Sequence, residues 1–144
     1  MKYQVVFFPR TNNSKRIAEK ISKGLSCDVV QITDNMNWKG IIGFFKAGYY
    51  SAMNKNVDID ILGNINTADE YVVVTPLWAG GFAPAIKVFL KKIHKEKVHL
   101  VVSSDGTHTK DRSGYKSVID ITKINKNEDL AISNFINILL NTGS

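Results

Sequence analysis

The sequence predicts one α/β domain, a three-layer sandwich in which a five-stranded parallel sheet carries helices on both faces. Short aromatic and β-branched runs alternate along the chain with amphipathic stretches of helical period, and such strand-helix-strand units close into parallel sheets through right-handed crossovers. The run Tyr71-Val72-Val73-Val74-Thr75 has no polar alternation, as expected of a strand buried on both faces. The chain has 144 residues, 44% hydrophobic and 22% charged, which suits a single globular domain with a core that needs no metal or disulfide.

Each element has its own signal. Tyr3-Gln4-Val5-Val6-Phe7-Phe8 is an apolar run stopped by Pro9, a first strand and not a signal peptide, since a polar run follows at once without a small-residue cleavage pattern. Ser14 opens a helix with Ile17, Ala18, Ile21 and Leu25 on one face, and Gly24 is its expected stop. Asp28-Val29-Val30-Gln31-Ile32 is a second strand. Residues 37–54 place Trp38, Ile41, Ile42, Phe45 and Tyr49 at helical spacing, interrupted by Gly40, Gly43 and Gly48. That face is expected to cover the sheet, with contact to a membrane surface as the alternative.

The acidic stretch before Thr67 is expected to be a connecting loop, and Tyr71–Thr75 is the third strand. Pro84 suits the first turn of a helix whose apolar stripe is Ile86, Phe89, Leu90 and Ile93. Val98–Val102 is a fourth strand. A polar loop, Ser103–Tyr115, leads to a fifth at Ser117–Ile121, and a last helix from Glu128 to Leu140 turns Ala131, Ile132, Phe135, Ile136 and Leu139 inward.

Composition removes several classes of function. The single cysteine, Cys27, excludes an internal disulfide and a Cys-rich metal site. It is expected to be a small core residue. His94, His99 and His108 lack ligand spacing, so no metal site is expected. No apolar run reaches the roughly 18 residues of a membrane span, and a cytoplasmic location is expected. No Gly-x-Ser-x-Gly elbow, GxGxxG fingerprint or nucleotide P-loop occurs.

The charge is uneven. The net is +6, and residues 1–26 carry six basic groups against one acid, Glu19. Residues 57–70 hold four acids and no base. A basic balance can mean nucleic acid, an anionic membrane, a phosphorylated ligand or an acidic partner protein, and solvated lysines with no partner account for it equally well. The lysines at 91, 92, 95 and 97 lie about one helix end, where the helix dipole accounts for them without nucleic acid.

In doubly wound sheets ligands bind beyond the carboxyl ends of the strands, which singles out three loops. The first is Pro9-Arg10-Thr11-Asn12-Asn13-Ser14-Lys15. Its hydroxyls at Thr11 and Ser14, the Asn13 amide, backbone N–H groups at a helix start, and the charges of Arg10 and Lys15 suit a phosphate. An ordinary turn with Asn13 or Ser14 as helix cap fits the same residues. The second loop is Thr75-Pro76-Leu77-Trp78-Ala79-Gly80-Gly81-Phe82-Ala83-Pro84, and the third is the polar loop from Ser103 to Tyr115.

On these loops the chain resembles the flavodoxin family. Thr11, Asn13 and Ser14 match in kind and spacing a phosphate loop of the form Ser/Thr-x-Thr-Gly-Asn-Thr, with Pro9 in place of the first hydroxyl residue and Asn12 in place of the glycine. Thr75-Pro76-Leu77-Trp78-Ala79-Gly80 is similar to the family's Thr-Pro-x-Trp-x-Gly. The resemblance implies a flavodoxin-like fold and FMN as cofactor. It places the phosphate on Arg10, Thr11, Asn12, Asn13 and Ser14. The isoalloxazine ring would lie against Trp78, with Thr75, Pro76, Leu77, Ala79, Gly80 and Gly81 around it, and its other side would meet Ser104, Asp105, Gly106 and Thr107. Tyr115 stands late in that loop, outside the expected set, and His108 is a loop histidine that could face the flavin.

The implied function is electron transfer between a flavoprotein reductase and an acceptor. An FMN-dependent NAD(P)H or quinone reductase is the alternative, and the compact chain leaves little room for a nicotinamide-binding insertion. A third possibility, raised by Pro9 and Asn12, is a cofactor-free interaction or anion-binding module. No nucleic-acid partner is expected.

Overall fold

A computed structural model of the chain describes residues 1–9, 12–34, 59–62, 65, 68–78, 81–106, 109–110, 112–123 and 126–142, without the side chains of Asn12 and Trp78. In chain order the elements are β1 (Tyr3–Phe7), α1 (Asn12–Leu25), β2 (Asp28–Asp34), β3 (Ile59–Leu62), β4 (Glu70–Trp78), β5 (Gly81–Phe82), α2 (Pro84–Leu90), a 3-10 turn (Lys95–Lys97), β6 (Val98–Ser104), β7 (Ser117–Thr122) and α3 (Glu128–Thr142). The helix predicted within 37–54 lies outside the described residues.

The main sheet runs β3-β2-β1-β4-β6-β7. Its five central and outer strands β2, β1, β4, β6 and β7 are mutually parallel and are the five that the sequence predicts. Register sorts the side chains. Val5 lies between Val29 and Val72, and Val73 lies between Val6 and Leu100. Because successive residues point to opposite faces, Val5, Phe7, Val72, Val74 and Val101 meet Ile17, Ala18 and Ile21 of α1 and Ile132, Phe135 and Leu139 of α3. Val6, Val73, Leu100 and Val102 face the other way, onto Ile86, Phe89 and Leu90 of α2. The three layers are therefore α1 with α3, the sheet, and α2.

Two expectations are corrected. The acidic stretch before Thr67 contains a strand, β3, which pairs antiparallel with β2 at the edge of the sheet. Ile59 and Ile61 are half-buried while Asp60 and Leu62 are exposed, the alternation of a strand with one wet face, and the acids mask it. Gly24 does not stop the first helix, which starts at Asn12 and runs to Leu25, so Asn13 and Ser14 lie inside it and are not its cap. The chain leaves α1 through Ser26, in the left-handed region at φ 51°, with Cys27 N–H donating back to Ser22 O at 3.1 Å. Gly24 serves packing instead: a Cβ there would sit 2.4 Å from Ile136 Cδ1 of α3.

α1 and α3 are also joined by charge. Arg16 grips Glu128 with Nε to Oε2 at 3.0 Å and Nη2 to Oε1 at 2.6 Å, and Lys20 Nζ reaches Glu128 at 2.7 Å and Asp129 at 2.8 Å. Part of the basic surplus of residues 1–26 is thus matched by the acidic first turn of α3. No helix among the described residues is long and apolar enough to cross a membrane.

Candidate functional site at the carboxyl ends of the central strands

Strands β1, β4 and β6 are neighbours, so the three loops named from sequence leave the sheet side by side at the same edge. The helices that follow them diverge, α1 to one face and α2 to the other. That divergence between β1 and β4 is the switch in winding where such sheets open a crevice.

At the first loop, Ser14 lies in the first turns of α1 and is 1% exposed, and its Oγ has no hydrogen-bond partner among the described residues. A buried hydroxyl without a partner costs about 1–3 kcal/mol, and this one lies beside the N-terminus of α1, where backbone N–H groups favour an anion. Asn13 is exposed and its Oδ1 accepts from Arg16 Nη1 at 2.9 Å. Arg16, which sequence reading left out, therefore links this loop to Glu128. Arg10 and Thr11 lie outside the described residues, and Asn12 is placed by its backbone alone.

The second loop is a hairpin. β4 runs past the sheet to Trp78 and turns back into β5, pairing Leu77 with Phe82 and Trp78 with Gly81. Thr75 is fully buried and its hydroxyl is used within the chain, donating to Pro76 O at 2.9 Å and accepting from Ala83 N–H at 3.4 Å. It shapes the hairpin. Pro76 and Leu77 are half-buried at its base. Gly81 has φ +132°, a conformation only glycine adopts without strain, and Lys87 Nζ lies 3.4 Å from where a Gly81 Cβ would be. Lys87, also unmarked in the sequence, brings a cation to the hairpin. Ala79 and Gly80 lie outside the described residues.

In the third loop Ser104 ends β6, its carbonyl accepting from Lys123 N–H at 2.9 Å, and Asp105 and Gly106 are exposed. Thr107 and His108 are outside the described residues. Further on, the loop is clasped to β7. Asp120 Oδ1 accepts from Thr109 N–H at 2.9 Å, and its Oδ2 accepts from Arg112 Nη1. Burial alone would raise the Asp120 carboxyl, but the hydrogen bonds from Arg112 and Thr109 outweigh it and hold the group below its ordinary value. Tyr115 lies at the other end of the sheet, under Lys95 at 5.0 Å.

That other end holds a constellation that sequence spacing hid. His99 Nε2 lies 2.6 Å from Glu70 Oε1, His99 Nδ1 lies 2.7 Å from Ser117 Oγ, and Lys116 Nζ lies 2.9 Å from Glu70 Oε2. The imidazole is enclosed edge-on by Tyr3 and Phe135, so it joins strands and is closed to a substrate. Cys27 is half-buried against the α1 face of the core, and burial pushes its thiol up, away from the reactive form. The described residues contain no cluster suited to a metal ion.

No family model matches the chain, and no curated protein matches it. Solved structures do. A flavoprotein from Lactobacillus acidophilus NCFM in complex with FMN is similar at 20% identity and TM-score 0.63, over 90% of this chain and 97% of that one. A candidate flavoprotein from Bacteroides eggerthii DSM 20697 is similar at 18% identity and TM-score 0.70, over 96% and 98%. Another from Bacteroides uniformis ATCC 8492 is similar at 13% identity and TM-score 0.69, over 90% and 96%. The chain has the flavodoxin-like fold that its sequence predicts, over nearly its whole length.

Proposed function

We propose that this chain binds FMN in the crevice beyond β1, β4 and β6 and carries electrons between a flavoprotein reductase and an acceptor. The observation that carries the reading is Ser14, whose buried Oγ lacks a partner among the described residues at the start of α1, where the resemblance puts the phosphate. The likeness of the whole fold to a flavoprotein that holds FMN supports it.

Ser14, with Thr11, Asn12, Asn13 and Arg10, would hold the phosphate. Trp78 and the hairpin would take one side of the ring, and Ser104, Asp105, Gly106 and Thr107 the other. FMN supplies the redox chemistry, accepting or giving one or two electrons. The chain's part is to bind, orient and shield. Thr75 holds the base of the hairpin in shape, Gly81 lets its backbone turn close to the site, and Lys87 sets a positive charge beside it.

Pro9 supports a second reading, a cofactor-free module. It removes one N–H donor from the loop, and Asn12 takes the glycine position. Changing Pro9→Ser and Asn12→Gly should alter FMN affinity little if the natural site works and raise it sharply if the site is degraded. To separate a carrier from a reductase, the FMN-loaded protein is mixed with NADPH and a quinone. Slow turnover that rises only when a separate flavoprotein reductase is added supports the carrier. Steady turnover by the chain alone overturns it in favour of a reductase. The basic balance of the chain suits partners with acidic docking faces.

A further inference from the structure

We propose that Arg112 is a positioning residue for Asp105 and Gly106, acting through Asp120. This inference rests on the reading of those residues as part of one side of the FMN site. The described contacts of Arg112 are with Thr109, Asp120 and Val118, none of them a residue expected at the cofactor.

Residues 105–108 are all that separates two fixed points of the chain. At one point Ser104 ends β6, paired with Thr122 and holding Lys123 N–H at 2.9 Å. At the other, Thr109 is 4% exposed and its N–H is bound by Asp120 Oδ1 at 2.9 Å. The second point is built by side chains. Asp120 projects from β7 with its side chain 6% exposed, and Arg112 closes over it. The guanidinium also donates from Nη1 to Thr109 O at 3.3 Å and from Nη2 to Val118 O at 3.0 Å. One carboxylate and one guanidinium therefore fix both backbone polar groups of Thr109 and tie them to β7. The planar fork suits this, because Nη1 serves Asp120 and Thr109 O while Nη2 reaches Val118 O, a spread that donors on one ammonium nitrogen match less well. With Ser104 and Thr109 both held, Asp105 and Gly106 have less freedom to lose, so less ordering cost remains when a ligand arrives.

The test uses the full chain and the variants Arg112→Ala, Arg112→Lys and Asp120→Asn. Arg112 is a surface residue, with 46% of its side chain accessible, so its removal should leave the fold intact by circular dichroism. Without cofactor, the Thr109 amide should exchange with solvent about tenfold faster in Arg112→Ala, while amides of β4 keep their rates. With FMN, affinity should fall about tenfold, a loss of one well-made constraint, and the visible band of bound FMN should change shape. Arg112→Lys should recover less than half of the lost affinity. If Arg112→Ala fails to fold, Asp120→Asn carries the same test, since it keeps an acceptor for Thr109 N–H and drops the ion pair. Unchanged Thr109 exchange, or faster exchange with unchanged FMN affinity and spectrum, overturns the proposal. Absence of FMN binding by the unmutated chain instead defeats the proposed function, and the exchange result stands apart from it.

Discussion

Glu70 Oε1 lies 2.6 Å from His99 Nε2, with both side chains buried at the N-terminal ends of β4 and β6. Burial alone would raise the Glu70 carboxyl, but the hydrogen bonds from His99 and Lys116 outweigh it and keep it below its ordinary value. With His99 also bound to Ser117, the cluster ties β4 to β6 and β6 to β7 at the end of the sheet away from the candidate site.

Removing Glu70 leaves Nε2 of the buried His99 without its partner. Glu70→Ala should lower stability to urea by about 2–4 kcal/mol. The double variant Glu70→Ala/His99→Ala should lose less than the sum of the singles, with a coupling of about 1–3 kcal/mol. Additive losses would mean that the two groups do not stabilise the fold through each other.

Glu128 sets an acid limit on the joint between α1 and α3. The hydrogen bond from Arg16 first, and that from Lys20 next, bring its carboxyl down to about 2. Its folded value is depressed, so its contribution is present above the unfolded carboxylate value of about 4.3 and is lost as pH falls from there through about 2. The gap in stability between the unmutated chain and Glu128→Gln should be constant near neutral pH and should close across that window. The comparison is made by urea unfolding at stepped pH. A gap that does not change with pH would show that the ion pairs contribute nothing there.

Gly24 is a packing residue. Gly24→Ala improves helix propensity by about 1 kcal/mol but pushes the new methyl into Ile136, at 2.4 Å from Cδ1, 3.2 Å from Cγ1 and 3.4 Å from Cγ2. Overpacking should prevail, with a net loss of about 1–2 kcal/mol. Adding Ile136→Val, which removes the clashing methyl, should recover most of it. A more stable single variant would mean that α3 yields at little cost.

The elements legible in the sequence were those whose burial is complete and whose period is undiluted. Tyr71–Thr75 reads as a strand because every residue is apolar or β-branched, and Ile17, Ala18 and Ile21 read as a helix face because they recur at the right spacing. The edge strand Ile59–Leu62 was hidden because it is only four residues long and Asp60 stands on its wet face. Gly24 was misread because a helix stop and a close helix contact ask for the same residue. At the candidate site, Ser14 could be named from its loop. The roles of Arg16, Lys87, Arg112 and Asp120 could not, because each depends on register or on a contact across the chain. The Glu70, His99 and Ser117 cluster shows the same limit: its members stand 29 and 18 positions apart and meet only through strand pairing.

Ser14 separates binding from folding. Ser14→Ala deletes a hydroxyl that has no partner among the described residues, so thermal stability without cofactor should be unchanged or slightly higher. Affinity for FMN should fall about tenfold, as for one lost hydrogen bond to a charged group. Equal affinity with and without the hydroxyl would remove Ser14 from the phosphate site.

The central claim is that this chain holds FMN, and an absorbance titration of the unmutated protein with FMN tests it most directly. We expect the visible flavin bands to shift and sharpen to a 1:1 end point, with a Kd of about 1 μM or tighter. No spectral change at FMN well above that concentration, from protein whose circular dichroism shows the fold intact, would contradict the claim.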